Sequence, residues 1–187
     1  MKIAVYSGSF DPLHIGHQAI MEFLTKEREF DWVYLIISPQ NPFRDASKAD
    51  NARKRYEAAV DAVCRHPELR VWVDDIEFGM PVPNYTIRTL DALSLREPDN
   101  EFTLVMGADN LDCIRGWKDY RRILTEYGVV VYPRSGYDLD AIMAGLKEED
   151  PEGRYRIQIL DAPTVDISST RIREGLAAGE DMSEWMM

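Results

Sequence analysis

Residues Trp32-Val33-Tyr34-Leu35-Ile36-Ile37 run without a polar interruption. A strand with one wet face alternates polar and apolar residues, so an unbroken β-favouring run needs cover on both faces, as in the interior of a parallel sheet. The rest of the chain fits that architecture. Further β-favouring runs lie at 2–6, 70–73, 102–106, 128–132 and 155–160. Stretches that read as helical separate them, at 17–28, 51–65, 86–95, 117–126 and 141–147. In the second of these, Tyr56, Ala59, Val60 and Val63 form one stripe. A last helix opens at Ser168 or Ser169, either a good N-cap, and runs to about residue 178. Strands alternating with helices throughout predict an α/β fold, a Rossmann-like doubly wound parallel sheet. No internal repeat or linker divides the chain, so residues 1–187 are expected to form a single domain with a core at 1–178. Residues 179–187, which include Trp185, form either a loose tail or a segment packed on the body.

Composition narrows what such a fold can serve. At 187 residues the chain can bury a substantial core. Its net charge of −11 argues against a general nucleic-acid binder, and a polyanionic substrate must be drawn in by a local basic patch. Cys64 and Cys113 have neither metal-ligand nor redox spacing and read as small core residues. No signal peptide precedes the first strand, and no apolar run reaches membrane-spanning length, so the expected address is the cytoplasm. Asn84-Tyr85-Thr86 has the form of a glycosylation sequon but carries no weight without a secretory signal.

Ligands of doubly wound sheets bind beyond the carboxyl ends of the strands, where the strand order switches. The polar stretches just after predicted strands are 7–17, 38–44, 107–110, 133–134 and 167–173. The first is Ser7-Gly8-Ser9-Phe10-Asp11-Pro12-Leu13-His14-Ile15-Gly16-His17, a small-residue turn leading into a helix start. Unpaired N–H groups and the helix dipole make such a start an anion site. His14 and His17, three residues apart, project to one side of a first turn. Two imidazole donors beside a phosphate-sized nest suit the stabilisation of charge developing on a phosphate in flight. Alone, a Ser/Gly turn or a single histidine is commonplace; the combination with Asp11-Pro12 is not. A Walker P-loop and a G-x-G-x-x-G fingerprint are absent, which disfavours a P-loop kinase and an ordinary NAD-dependent dehydrogenase.

The last polar stretch, Ile167-Ser168-Ser169-Thr170-Arg171-Ile172-Arg173, puts hydroxyls at a helix start and two arginines in its first turn. Most such starts are simple N-caps with solvated cations. Positive charge there opposes the helix dipole, however, and needs an anionic partner to be favourable.

These segments resemble a known family. The 7–17 stretch resembles the GxFDPxHxGH signature of the nucleotidylyltransferase superfamily, and its His-Ile-Gly-His string also occurs in class I aminoacyl-tRNA synthetases. The 167–173 stretch resembles the ISSTxIR motif of nicotinate-nucleotide adenylyltransferases, which holds the ATP triphosphate. Met106-Gly107-Ala108-Asp109-Asn110 with Trp117 resembles that family's GADN…W segment, and Pro83 to Leu90 its SYTIDTL segment. Ser38 to Arg44 resembles its substrate loop, with Phe43-Arg44 in place of the commoner His-Lys, and Ser7 stands where the family often has glycine. The likeness covers residues 1 to about 176.

The resemblance implies the nucleotidylyltransferase fold and an ATP-dependent nucleotidyltransferase of NAD biosynthesis. The enzyme would join ATP to nicotinic acid mononucleotide, giving the deamido dinucleotide and pyrophosphate. It also implies roles. His14 and His17 would be catalytic, donating to the α- and β-phosphates of ATP. Gly8, Ser9, Phe10 and Gly107 would lie against the nucleotide, and Ser169, Thr170, Arg173 and, more weakly, Arg171 would hold its β- and γ-phosphates. Trp117 would stack on the pyridine ring, with Tyr85 and Thr86 at its carboxylate, partly through backbone N–H. Asp109 would contact a ribose or help order the site, and Arg44 and Arg134 would pair with the mononucleotide phosphate. Mg²⁺ would travel with ATP rather than occupy a protein cage. No nucleic-acid or membrane partner is implied, and a homo-oligomer is left open. The rival readings are phosphopantetheine adenylyltransferase, which would share both phosphate motifs, and a non-catalytic nucleotide-binding module, which would not need both histidines.

Overall fold

The structure, a computed structural model, describes residues 1–27, 30–39, 51–161 and 167–187. Among the described residues six strands form one sheet: β1 at Lys2–Gly8, β2 at Trp32–Ile37, β3 at Val71–Asp74, β4 at Glu101–Gly107, β5 at Val129–Tyr132 and β6 at Ile157–Ile159. Their order is β3-β2-β1-β4-β5-β6, and every neighbouring pair is parallel. The order reverses between β1 and β4, so the crevice where ligands collect in such sheets opens beyond Gly8 and Gly107.

Helices cover both faces: α1 at Ile15–Lys26, α2 at Ala52–Cys64, α3 at Thr86–Arg96, α4 at Ala108–Asp112, α5 at Tyr120–Arg122, α6 at Leu139–Glu149 and α7 at Ser169–Ala177. The central strands feed two cores by strict alternation. Ala4 and Tyr6 of β1 join Met21 and Leu24 of α1 and Ala59 and Ala62 of α2 in one core. Ile3 and Val5 join Ile87, Leu90 and Leu93 of α3 in the other. Leu90 is fully buried, and its truncation to alanine is expected to cost about 2–5 kcal/mol.

Several local expectations change. The stretch 117–126 is not one helix. Asp119 sits in the left-handed region at φ 51° and starts the short α5, which widens into a π turn at Ile123–Tyr127. There the Gly128 N–H reaches back to the Ile123 carbonyl, and Gly128 ends the turn at φ 77°. The short α4 and the 3₁₀ turns at Ile76–Gly79 and Ile114–Gly116 are too brief to leave a periodic signature. Cys64 and Cys113 are exposed rather than core residues. Each lies near a helix end, where the wider helical pattern does not force burial.

Residues 179–187 pack on the body. Met182 and Met187 are buried, Met186 makes an antiparallel bridge with His14, and Arg65 donates to the Met187 carbonyl at 2.7 Å. Among the described residues no helix is long and apolar enough to cross a membrane.

Candidate active site

β1 delivers the chain to the crevice at Gly8, and two backbone features turn it back toward α1. Phe10 has φ 43°, a conformation costly for a side-chain-bearing residue, and the Asp11–Pro12 peptide is cis. The Phe10 ring is buried and meets His17 edge-on at 5.0 Å and Tyr6 edge-on at 5.1 Å. It braces the imidazole pair from inside. A Cβ on Gly8 would press on that ring at 3.1 Å, so packing holds this position small.

His14 ends the loop in extended conformation, and α1 begins at the next residue. The His14 and His17 rings stack with centroids 3.6 Å apart at 24°. The His14 backbone N–H donates to His17 Nδ1 at 3.3 Å, so a neutral His17 carries its proton on Nε2. His14 Nδ1 is buried and, among the described residues, without a hydrogen-bond partner. Burial, helped by the charge of Arg134, pulls His14 down to about 4. Burial, with His14 and Arg134 adding to it, holds His17 well below the usual imidazole range. Both rings are therefore uncharged at neutral pH, and their N–H groups are available as donors.

α7 is buttoned to this loop. Ser168 is its N-cap, accepting from the Arg171 N–H at 3.2 Å. Ser169 Oγ donates to the Pro12 carbonyl at 3.1 Å, and Arg173 donates to the Asp11 carbonyl at 2.5 Å and to Thr170 Oγ1 at 3.1 Å. The anionic partner that first-turn arginines require comes partly from the chain itself, because Arg171 pairs with Glu180 at 2.8 Å. Thus Ser169 and Arg173 face the loop, with exposed Thr170 held to Arg173, whereas Arg171 is turned to the surface.

β4 supplies the opposite lip. Gly107 caps the short α4, and a Cβ there would collide with Asp109 Oδ1 and crowd Arg134 Nε at 3.2 Å. Asp109 lies 3.6 Å from Arg134. Beside this lip a cavity of about 300 Å³ opens, lined by Gly8, Tyr85, Thr86, Met106 and Trp117 among others. Trp117 follows a 3₁₀ turn in extended conformation and does not start a helix. Tyr85 and Thr86 stand at the start of α3, whose N-cap residue lends no side-chain bond to the first N–H groups among the described residues.

The structure thus gathers His14, His17, Gly8, Ser9, Phe10, Gly107, Asp109, Arg134, Ser169, Thr170 and Arg173 around one crevice, with Tyr85, Thr86 and Trp117 in the adjoining cavity. Arg44 lies outside the described residues, as does most of the loop at 38–44. Arg55 escaped the sequence reading. It is buried and donates to the carbonyls of Ser9 at 2.5 Å and Ser38 at 3.0 Å, tying the ends of β1 and β2 together. Its signal was its place on the buried stripe of α2, at helical spacing with Ala52, Ala59 and Ala62. Glu77 also escaped. Its buried carboxylate accepts from Ser38 Oγ at 2.6 Å and Thr89 Oγ1 at 2.8 Å, and burial raises its pKa.

Comparisons with known proteins agree with one another. The family model described as cytidylyltransferase-like matches residues 5–175. Proteins of Bacteroides fragilis and Porphyromonas gingivalis, each named a probable nicotinate-nucleotide adenylyltransferase, are each 36% identical to the chain. The first match covers 97% of this chain and 85% of the relative, the second 100% and 89%. The solved nicotinic acid mononucleotide adenylyltransferase of Plasmodium falciparum, complexed with NaAD, superposes with a TM-score of 0.76 over 99% of this chain and 90% of that one. At 14% identity that likeness speaks for the fold alone.

Proposed function

The chain belongs to the cytidylyltransferase-like family and, within it, to the nicotinate-nucleotide adenylyltransferases; it transfers the adenylyl group of ATP to nicotinic acid mononucleotide in NAD biosynthesis, and we propose that the crevice between β1 and β4 carries that reaction. The observation that carries the assignment of the site is the stacked His14–His17 pair at the sheet's switch point.

The acceptor phosphate is ionised near neutral pH, so no protein nucleophile is required. It attacks the α-phosphorus in line, and pyrophosphate leaves. What the protein contributes is position and neutralisation of the spreading charge. His17, with its proton on Nε2, and His14 donate to α- and β-phosphate oxygens. Entry of a polyanion favours protonated imidazole, so both rings gain positive character as charge accumulates. The backbone at Gly8 and Ser9 lies against the phosphates. Ser169, Thr170 and Arg173 grip the β- and γ-phosphates from α7, and Arg171, paired with Glu180, contributes least. Mg²⁺ enters as part of the ATP substrate.

On the acceptor side, Trp117 stacks on the pyridine ring, and the free N–H groups of Tyr85 and Thr86 meet its carboxylate. Asp109 orders Arg134, and Arg134 with Arg44 neutralises the mononucleotide phosphate. Pyrophosphate release from Mg-ATP, run in parallel with nicotinic acid mononucleotide, nicotinamide mononucleotide and phosphopantetheine, tests the reading. Turnover with the acid mononucleotide is the expected result. Turnover with phosphopantetheine alone would leave the phosphate assignments standing and refute the acceptor pocket.

A further inference from the structure

Lys118 lines the acceptor cavity next to Trp117, and nothing above gives it work. Its Nζ lies 5.1 Å from the centroid of the Tyr85 ring, and the guanidinium of Arg88 lies 5.2 Å from the same centroid. Several cations of this acidic chain are matched to carboxylates: Arg96 to Asp74, Arg115 to Glu149, Arg122 to Asp91, Arg171 to Glu180. For Lys118 the contact found among the described residues is the face of an aromatic ring. Such a contact at an exposed site is weaker than a charge-assisted hydrogen bond, so the ammonium is free to turn to a better partner.

The cavity also holds groups hostile to an anion. The Glu77 carboxylate lines it, and so does Asn84, whose Oδ1 is buried and has no hydrogen-bond partner among the described residues. A ligand carboxylate entering here needs a counter-charge. Where the N–H groups at the start of α3 meet a single ligand oxygen, an acid and an amide satisfy them equally. The second position decides. A carboxylate presents an acceptor there and a carboxamide presents an N–H donor, while an ammonium offers three donors and no acceptor.

Resting on the acceptor-site reading above, we propose that Lys118 is a specificity-determining residue: its ammonium leaves the Tyr85 ring to pair with the pyridine carboxylate and so sets the preference for the acid mononucleotide over the amide.

The test compares the full chain with Lys118→Met, which keeps the length of the side chain but not its charge, and Lys118→Arg, which keeps the charge. Pyrophosphate release is measured at saturating Mg-ATP with each mononucleotide. Lys118→Met is expected to lose about tenfold in kcat/KM for the acid while the amide is unchanged or improved. Lys118→Arg should retain most of the preference. Raising NaCl from about 0.05 to about 0.5 M should lower the acid-to-amide ratio of the wild type and leave that of Lys118→Met flat, since an exposed ion pair is screened. An unchanged ratio in Lys118→Met, or equal losses on both acceptors, overturns the proposal while wild-type turnover keeps the reaction assignment intact. A wild type inactive with the acid mononucleotide refutes the acceptor site itself, and this proposal with it.

Discussion

The two walls of the crevice are built on opposite plans. The phosphate wall is a single loop of irregular backbone, held from several directions at once: Arg55 from α2, Ser169 and Arg173 from α7, and Met186 near the C-terminus. The acceptor wall is a cavity whose recognition groups have few partners among the described residues: a helix start with no side-chain cap, an Asn84 Oδ1 with no hydrogen bond and a lysine resting on a ring. The difference follows from the chemistry. Charge that develops in a transition state is best met by dipoles already fixed in place, since reorganising them during reaction is costly. A ground-state ligand can be met by groups that find their partner only on binding.

Removing a donor from the fixed wall should therefore have the largest effect, and it should fall on kcat. His17→Ala is expected to lower kcat by roughly a hundredfold or more, the usual cost of one such donor, with the acid-to-amide ratio unchanged. Turnover near the wild type would remove His17 from the mechanism. The open wall should answer in the other way. Thr86 is the first residue of α3, where proline is compatible with a helix, and Tyr85 before it already has the φ −86°, ψ 131° that a following proline demands. Thr86→Pro deletes one pocket N–H while preserving the fold. KM for the acid mononucleotide should rise about tenfold, with kcat within about threefold of the wild type. A loss confined to kcat would erase the contrast between the walls.

The two arginines of α7 sharpen the comparison within the fixed wall. Arg173 reaches the loop carbonyl of Asp11, whereas Arg171 is bound to Glu180. Arg173→Ala should raise the KM for ATP about tenfold, and Arg171→Ala by about twofold at most. Equal effects would mean that the Glu180 pair opens when ATP binds.

The same division explains what could be read from the chain. The strand-turn-helix at 7–17 and the hydroxyl-rich start of α7 have fixed residue types because side chains and tight backbone do the work there, so both were legible. Arg55 and Glu77 were not. Their contacts join β1 to β2 and β2 to α3, and a single sequence carries no record of which carbonyl or hydroxyl an arginine or glutamate will find. Lys118 was missed because a lysine in a loop looks solvated until the cavity beside it is known. The helix expected at 117–126 failed because apolar spacing does not register the left-handed Asp119 or the extra residue in the following π turn.

The smallest effect tests how firmly the fixed wall is desolvated. An exposed histidine, and one in the unfolded chain, titrates near 6.5, whereas His14 is held down to about 4. His17 is lowered in the same direction. Between those values the unfolded state binds protons that the folded state refuses. The stability contributed is therefore fully present above about pH 6.5 and is lost as pH falls toward 4. For His14 alone the loss between about pH 7.5 and about pH 5.5 is about 1 kcal/mol. In a chain of this size that is about 3 °C in Tm. Thermal unfolding of wild type and His14→Ala at those two pH values should show the variant losing less, by about that amount. Saturating Mg-ATP should reduce the wild-type loss, because the bound polyanion favours the protonated rings. Parallel curves for the two proteins would mean that His14 is hydrated in the free enzyme, and the fixed wall would then be no drier than the open one.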